Sequence, residues 1–255
     1  MGTLLGLPTM PIRKLLRYDL SPLTNEQRRG NGLAIVLSGI EGRGPFSATL
    51  ARGLAAEWEG AVEVFEWTSR RLFATLSHLC NLKRNREQAA KLADCIEAYH
   101  QQHPTAPVHL IGHSGGAAIA VFTLEELERR RLDQVVDQVL LLGAALSREY
   151  DLRLALRAAR QVHSFQSKLD IPHLVLGTCI FGTVDRQRGV SAGFNGFAVP
   201  NAAEEAAYGR LTQHRYVWRM ARSWHWGGHM GWTNEVFAAE YLAPILTSPP
   251  LGETP

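Results

Sequence analysis

The feature that most constrains this chain is a serine set among glycines between an apolar strand and an apolar helix. Residues 108–111 are mostly apolar, which is typical of a buried strand, and residues 117–127 carry the apolar spacing of a helix. Ser114 lies between them, flanked by Gly112 and by Gly115–Gly116. An abrupt strand-to-helix turn strains the serine backbone and leaves no room for side chains at the flanking positions. The pattern therefore predicts a sharp turn that exposes the Ser114 hydroxyl beside the unpaired N–H groups of a helix N-terminus.

Segments of strand type and helix type alternate along the rest of the chain. Further strands are predicted over residues 33–37, 61–67, 135–143, 162–166 and 215–220, and further helices over residues 45–58, 85–101, 152–161, 202–211 and 234–246. Asn85 and Gln88 resemble a capping box at the start of the helix over 85–101. Long helices between successive strands are the signature of a parallel sheet. We therefore predict an α/β fold with a mostly parallel central sheet and helices on both faces.

The length and the apolar content fit one large domain. A chain of 255 residues with 45% hydrophobic residues can bury one substantial core. Residues 1–32 become polar toward their end and are predicted to be an N-terminal extension packed on the domain. Residues 33–246 hold the predicted strands and helices. Residues 247–255 are proline-rich and are predicted to be a disordered tail.

The charge pattern argues against a nucleic-acid partner, and the cysteine content indicates a reduced cellular compartment. The net charge is +3, and the densest basic run, Arg129–Arg131, ends a predicted helix, where cations complement the helix C-terminus. The six tryptophans have no basic patch beside them and are interpreted as core residues and pocket walls, so no nucleic-acid partner is predicted. Three cysteines without paired spacing favour a reduced, cytoplasmic setting. Pro8 and Pro11 interrupt the apolar N-terminal run, which predicts neither a signal peptide nor a membrane span.

The strand, turn and helix around Ser114 resemble the nucleophile elbow of the α/β-hydrolase superfamily, which includes serine esterases and lipases. In that family the serine is followed along the chain by an acid and then by a histidine. Asp170 follows the strand over 162–166, and His229 lies in the loop before the last helix, as the family places them. The resemblance implies that Ser114 is the nucleophile, His229 its base and Asp170 the acid that orients the imidazole.

Two other carboxylates compete with Asp170 for the role of the acid. Asp151 follows the preceding strand, and Asp185 lies in a later stretch that is rich in glycine. Asp170 itself could instead cap a helix that starts at Ile171–Pro172, because aspartate and proline are favoured at such positions. The sequence leaves these alternatives open.

One other histidine competes with His229 for the role of the base. His225 lies four residues earlier in the same loop. We favour His229 because Gly228 and Gly231 beside it permit a sharp loop and because it lies nearer the final helix. No metal is predicted, since Gly227 and Gly228 would break the helix that a zinc site at this histidine spacing requires.

The resemblance also implies an oxyanion hole, in which N–H donors wait where negative charge develops in the transition state. One donor is expected to be the backbone N–H of Gly115 at the helix start. The second is expected to be the N–H of Ile40, in the glycine-rich turn Ser38–Gly42 after the first strand. Ser38 stands where the family often has histidine.

The implied activity is hydrolysis of a small-molecule carboxylic ester through an acyl-enzyme on Ser114, with no metal and no organic cofactor. The residues predicted to contact substrate are His113, Trp226 and, from the glycine-studded stretch 171–196 and the residue after it, Phe181, Phe194 and Phe197. The phenylalanines could equally pack under a long loop. Two other functions stay open: a thioesterase or acyltransferase that uses the same triad, and a non-catalytic hydrolase-like protein that binds a ligand or a partner.

Overall fold

The centre of the molecule is a parallel β-sheet. The computed structural model describes residues 19–69, 81–170, 183–187, 189–199 and 205–248. The strands over these residues are β1 (Leu33–Leu37), β2 (Ala61–Phe65), β3 (Val108–His113), β4 (Val136–Leu142), β5 (Ala159–Gln166) and β6 (Leu211–Arg215). They lie in the order β2-β1-β3-β4-β5-β6, and each neighbouring pair is parallel. The carboxyl ends of all these strands therefore meet at one edge.

Helices cover both faces of the sheet. The helices over the described residues are α1 (Glu26–Asn31), α2 (Pro45–Glu57), α3 (Leu82–Gln102), α4 (Gly115–Arg129), α5 (Arg153–Ala158), α6 (Ala192–Asn195), α7 (Glu205–Tyr208), α8 (Glu235–Phe237) and α9 (Ala243–Thr247). A π-helical stretch, Ala238–Leu242, joins α8 to α9 into one C-terminal helical segment. Short 3-10 helices are formed by Ser21–Leu23, Trp218–Ser223 and His229–Thr233.

The sheet has one hydrophobic core on each face because successive strand residues point to opposite sides. In β1, Ile35 and Leu37 enter the core that contains α3 and α4, whereas Ala34 and Val36 enter the core that contains α2 and the C-terminal helical segment. Both sides of a central strand must then be apolar, which explains the uninterrupted run Leu33–Leu37. The parallel sheet with helices on both faces confirms the predicted fold class, and we describe it as an α/β-hydrolase fold.

Two helix boundaries differ from the sequence prediction. The capping box at Asn85 is wrong, because α3 starts earlier: the Asn81 side chain accepts a hydrogen bond from the Arg84 N–H, and Asn85 is buried inside the helix. The helix predicted over 152–161 ends at Ala158, because the next residues pair with β4 as part of β5.

The last strand is also displaced from its prediction. The apolar and aromatic residues over 215–220 suggested a strand, but β6 is the more polar Leu211–Arg215, and Trp218–Ser223 is a 3-10 helix. β6 lies at the end of the strand order, where one side has no strand neighbour among the described residues. Polar residues are tolerated there, and His214 stacks on Phe165 of β5 with ring centroids 4.5 Å apart.

The described part of the N-terminal extension packs on the domain. The Arg28 guanidinium in α1 donates hydrogen bonds to the backbone carbonyls of Ala55, Trp58 and Gly60. Residues 1–18 and 249–255 lie outside the described residues, so the predicted disorder of the tail stays a prediction.

Candidate active site

Ser114 lies in a strained turn between β3 and α4. Its φ of 54° and ψ of −117° are unusual for a residue other than glycine, and such strain is often found at functional sites. Close packing explains the neighbouring glycines. A Cβ on Gly112 would lie 2.6 Å from Ala117 Cα, and one on Gly116 would overlap the carbonyl oxygen of Leu37. The glycines in the sequence are therefore explained by the start of α4, which packs closely against the end of β1.

Ile40 and Gly115, the two residues predicted to supply the oxyanion donors, lie next to each other. A Cβ on Gly115 would lie 3.2 Å from Ile40 Cγ2 and 3.3 Å from the Trp67 ring. The Trp67 indole N–H donates a hydrogen bond of 2.7 Å to the carbonyl of Ser38, which fixes the turn that contains Ile40. The first N–H groups of a helix have no partner within the helix, so the start of α4 can stabilise an anion here.

The structure brings the predicted acid and the predicted histidine into direct contact. Asp170 Oδ2 and His229 Nδ1 are 2.5 Å apart, and Asp170 is only 1% exposed. A second bond joins the same two loops, because the Ser167 hydroxyl donates to the carbonyl of Gly227 at 2.6 Å. A carboxylate bonded to Nδ1 sets the tautomer in which Nε2 can accept a proton.

Ser114 and His229 adjoin the same peptide at the end of β4. The Ser114 N–H donates to the Leu142 carbonyl at 2.9 Å, and Gly143 follows Leu142 directly. A Cβ on Gly143 would lie 3.5 Å from His229 Cε1. Ser114 is partly exposed, and its hydroxyl makes no hydrogen bond within the ranges that the structure describes.

The rival histidine, His225, is a core residue. It is fully buried, its Nδ1 accepts a hydrogen bond of 3.1 Å from the Gly227 N–H, and its ring packs edge-on against Trp232 and Phe237. A Cβ on Gly231 would overlap this ring. Burial lowers the pKa of His225 to about 3, so the ring stays neutral at ordinary pH. Its geometry supports the loop and does not present the ring for proton transfer to a substrate.

His113 lies beneath His229 and not on an open surface. Its Nε2 is 3.0 Å from the His229 carbonyl oxygen, and the two rings are 4.6 Å apart. Because His113 is 1% exposed, the structure does not support the predicted contact with substrate. The residue instead links the strand before Ser114 to the loop that carries the imidazole.

Glu41 is a residue of the site that the sequence reading missed. Its Oε1 lies 3.8 Å from His113 Nδ1 and accepts a hydrogen bond from the Gly39 N–H at 3.1 Å. Burial opposes ionisation of this carboxyl, but the electrostatic interaction with the neighbouring His113 ring outweighs it, so the pKa of Glu41 is lowered. The signal was available, since Glu41 is the one acid within the predicted oxyanion turn Ser38–Gly42.

The two rival carboxylates are engaged elsewhere. Asp151 forms a surface ion pair with Arg153 at 2.7 Å. Asp185 accepts hydrogen bonds from the N–H and the hydroxyl of Ser147, at 2.9 and 2.5 Å, and so fixes the loop after β4. Asp170 is the candidate acid that the structure places against His229.

A groove of about 1060 Å³ opens beside His229. Among the described residues its lining includes Trp226, where a substrate contact was predicted, but it does not include Ser114. Phe194 lines a different cavity, and Phe197 is buried in the core, which is the packing role that the sequence left open for it. Phe181 lies outside the described residues.

The described residues offer neither a metal site nor a membrane-spanning helix. No group of three or more His, Cys, Asp or Glu side chains in this part of the chain is arranged to hold a metal ion. In the same residues, no helix combines the length and the apolar character that crossing a membrane requires.

Comparisons with known proteins identify no subfamily. A family model described as "Protein of unknown function (DUF726)" matches residues 75–166, and no curated protein matches the chain. A Trichoderma reesei cutinase solved with a phosphonate inhibitor is 13% identical with a TM-score of 0.39, over 89% of this chain and 81% of that chain. A cutinase-like protein from Cryptococcus sp. is 16% identical with a TM-score of 0.38, over 85% of this chain and 92% of that chain.

Proposed function

We propose that this protein is a serine hydrolase that cleaves a carboxylic ester through an acyl-enzyme formed on Ser114. The observation that carries the proposal is the buried contact of 2.5 Å between Asp170 and His229. It joins the loops that follow β5 and β6, at the sheet edge where the strained turn of Ser114 lies. A buried carboxylate is costly unless it is paired, and pairing with an imidazole prepares that ring to act as a base.

In the proposed mechanism, Ser114 Oγ attacks the ester carbonyl carbon while His229 Nε2 takes the hydroxyl proton. Asp170 stabilises the imidazolium that forms. The N–H groups of Gly115 and Ile40 stabilise the oxyanion of the tetrahedral intermediate. His229 then gives its proton to the leaving alcohol, and the acyl group stays on Ser114. Water, deprotonated by His229, attacks the acyl-enzyme, and the proton returns to Ser114 as the carboxylic acid leaves.

His113 and Glu41 fit a positioning role in this mechanism. His113 Nε2 lies within hydrogen-bond distance of the His229 backbone carbonyl, which requires the proton to be on that nitrogen. Glu41 sits on the other side of the ring, near Nδ1. Glu41 and His113 therefore link the oxyanion turn to the loop that carries His229. This link would hold the distance between the oxyanion N–H groups and the His229 imidazole constant.

The test is a panel of p-nitrophenyl esters with increasing acyl length, together with matched acyl thioesters. We expect the wild type to hydrolyse at least one ester and Ser114→Ala to lose turnover while its melting temperature stays nearly unchanged. Faster turnover of the thioesters would reassign the activity to a thioesterase that uses the same residues. Turnover retained by Ser114→Ala would contradict the proposed nucleophile.

A second candidate is a hydrolase-like protein that binds a ligand without turning it over. The observation that favours it is the Ser114 hydroxyl, which has no hydrogen bond among the described residues. Catalytic hydrogen bonds are often long in ligand-free enzymes and tighten with substrate, so this observation is compatible with both candidates. Folded wild-type protein that turns over none of the esters or thioesters would favour the binding protein.

A further inference from the structure

Three tryptophans are exposed beside the loop that carries His229. Trp218, Trp224 and Trp226 are 71%, 64% and 65% exposed. Large exposed apolar surfaces are uncommon in soluble proteins unless something binds them, and tryptophan has the largest apolar ring. The cluster therefore needs an explanation beyond the core and pocket-wall roles that the sequence suggested.

The exposed side chains around these tryptophans are apolar or basic. From residue 215 to residue 226 they are Arg215, Val217, Trp218, Arg219, Arg222, Trp224 and Trp226. Lys168 and Leu169, which precede the buried Asp170, are exposed as well. We call these nine residues the aromatic–basic rim. It contains four cations and no acid.

Contacts between the two loops make the rim one surface. A Cβ on Gly227 would lie 2.5 Å from Leu169 Cδ1 and 3.1 Å from the Tyr216 ring. Tyr216 in turn packs edge-on against Trp218, with ring centroids 5.8 Å apart. The two loops are the ones joined by the Asp170–His229 contact, and Trp224 and Trp226 line the groove beside His229, so this part of the rim adjoins the candidate base.

The backbone pattern holds the tryptophans outward. Ser223, His225 and Gly227 are buried, whereas Trp224 and Trp226 between them are exposed. Turning either tryptophan inward would require it to displace the packed His225 ring. The packing of this loop therefore keeps Trp224 and Trp226 exposed.

We propose that the aromatic–basic rim docks on the surface of a lipid bilayer that contains anionic phospholipids. Tryptophan is favoured at the headgroup level of a bilayer, where its ring is apolar and its N–H meets water. Arginine and lysine beside it complement anionic headgroups. Trp224 and Trp226 also line the groove beside His229, which they share with three acids from α2 and the C-terminal helical segment, Glu57, Glu235 and Glu240. This inference concerns binding alone and does not depend on the proposed hydrolysis.

The test uses full-length protein carrying Ser114→Ala, so that binding is measured without turnover. It is mixed with vesicles of phosphatidylcholine alone or of equimolar phosphatidylcholine and phosphatidylglycerol, and the bound fraction is measured by sedimentation. We expect binding to the anionic vesicles that weakens roughly fivefold for each of Arg215→Gln, Arg219→Gln and Arg222→Gln. Replacing all three rim tryptophans by serine should weaken it by at least about tenfold.

The matched control replaces Leu154 and Val199 by serine, because both are exposed apolar residues outside the rim. This variant should bind the anionic vesicles as its parent does. Brominated lipids should quench tryptophan fluorescence of the parent and not of the variant without the rim tryptophans.

Three results would overturn the proposal: no binding of the folded parent to anionic vesicles, equal binding by the variant without rim tryptophans, or equal binding to both vesicle types. Self-association of the parent that disappears in the same variant, without vesicle binding, would instead assign the rim to a contact between two copies of this chain. A wild type that hydrolyses no ester would contradict the proposed hydrolase function but would not affect the vesicle-binding result. The two proposals can therefore be refuted independently.

Discussion

The two histidines of the same loop give a direct test of which ring is the base. We consider His225→Asn and His229→Asn, because an asparagine amide offers an oxygen in place of the His225 Nδ1 acceptor and an N–H in place of the His229 Nδ1 donor, but cannot take up a proton near neutral pH. In His225→Asn the new oxygen can still accept the hydrogen bond from the Gly227 N–H, which His225 Nδ1 now accepts at 3.1 Å. In His229→Asn the contact with Asp170 changes and no proton acceptor of suitable pKa remains.

The two variants should differ by orders of magnitude in the kcat that they lose. His229→Asn should lower kcat at least about 10⁴-fold, because removing the base disables the serine as well. His225→Asn should keep most of the activity but lower the free energy of unfolding by about 2 kcal/mol at pH 7, since a ring packed against Trp232 and Phe237 is lost from the core.

The pH dependence of stability provides a second signature of His225. Burial lowers its pKa in the folded protein to about 3, from an ordinary value of 6.5. The unfolded chain therefore takes up a proton below pH 6.5, whereas the folded chain does not, and the unfolding free energy falls by about 1.4 kcal/mol per pH unit from this group. Between pH 6.5 and pH 4.5 the loss amounts to about 2 to 3 kcal/mol. His225→Asn lacks this loss, so the gap of about 2 kcal/mol expected at pH 7 should close or reverse slightly at pH 4.5.

The assay combines urea unfolding at pH 7 and pH 4.5 with initial rates on the best p-nitrophenyl ester, for the wild type and both variants. If His225→Asn, folded at pH 7, loses activity as severely as His229→Asn, the assignment of the base to His229 is refuted. A stability gap that stays constant between the two pH values would refute the buried neutral state of His225.

The remaining predictions concern the acid and the loop. Asp170→Asn should lower kcat about 10⁴-fold with little change in KM, because the amide does not hold the His229 tautomer or stabilise its charge, and steady-state rates on the same ester would check it. A loss below tenfold in folded protein would contradict the role of the acid. Gly231→Ala should cost about 1 to 3 kcal/mol in urea unfolding, since its Cβ would overlap the His225 ring, whereas Gly228→Ala, with no atom within 4 Å of its Cβ, should cost much less. Equal effects of the two alanines would show that the ring does not confine the loop.

The arrangement around Ser114 was predictable because its causes are local. A helix start that approaches a strand end excludes side chains at Gly112 and Gly116, and the glycines at these two positions make the constraint visible in the sequence. The placement of Asp170 and His229 followed from the family order and from the rule that parallel strands end at one edge. The sheet with helices on both faces followed from apolar runs separated by long helices.

The parts that could not be predicted depend on tertiary contacts. The last strand was predicted over residues 215–220 but is Leu211–Arg215. An edge strand needs few apolar residues, so the sequence of β6 shows no clear strand pattern. The contact between Glu41 and His113 joins the turn after β1 to the end of β3, which is far away in sequence; the acid in the turn is visible in the sequence, but its partner is not. Apolar character alone does not distinguish a buried tryptophan such as Trp232 from an exposed one such as Trp226.

Covalent labelling with a fluorophosphonate probe, followed by peptide mass spectrometry, tests whether Ser114 is the nucleophile. We expect one modified residue, Ser114, with labelling abolished in Ser114→Ala and strongly slowed in His229→Asn. Well-folded wild type that stays unlabelled, or that is labelled at another residue, would contradict the account.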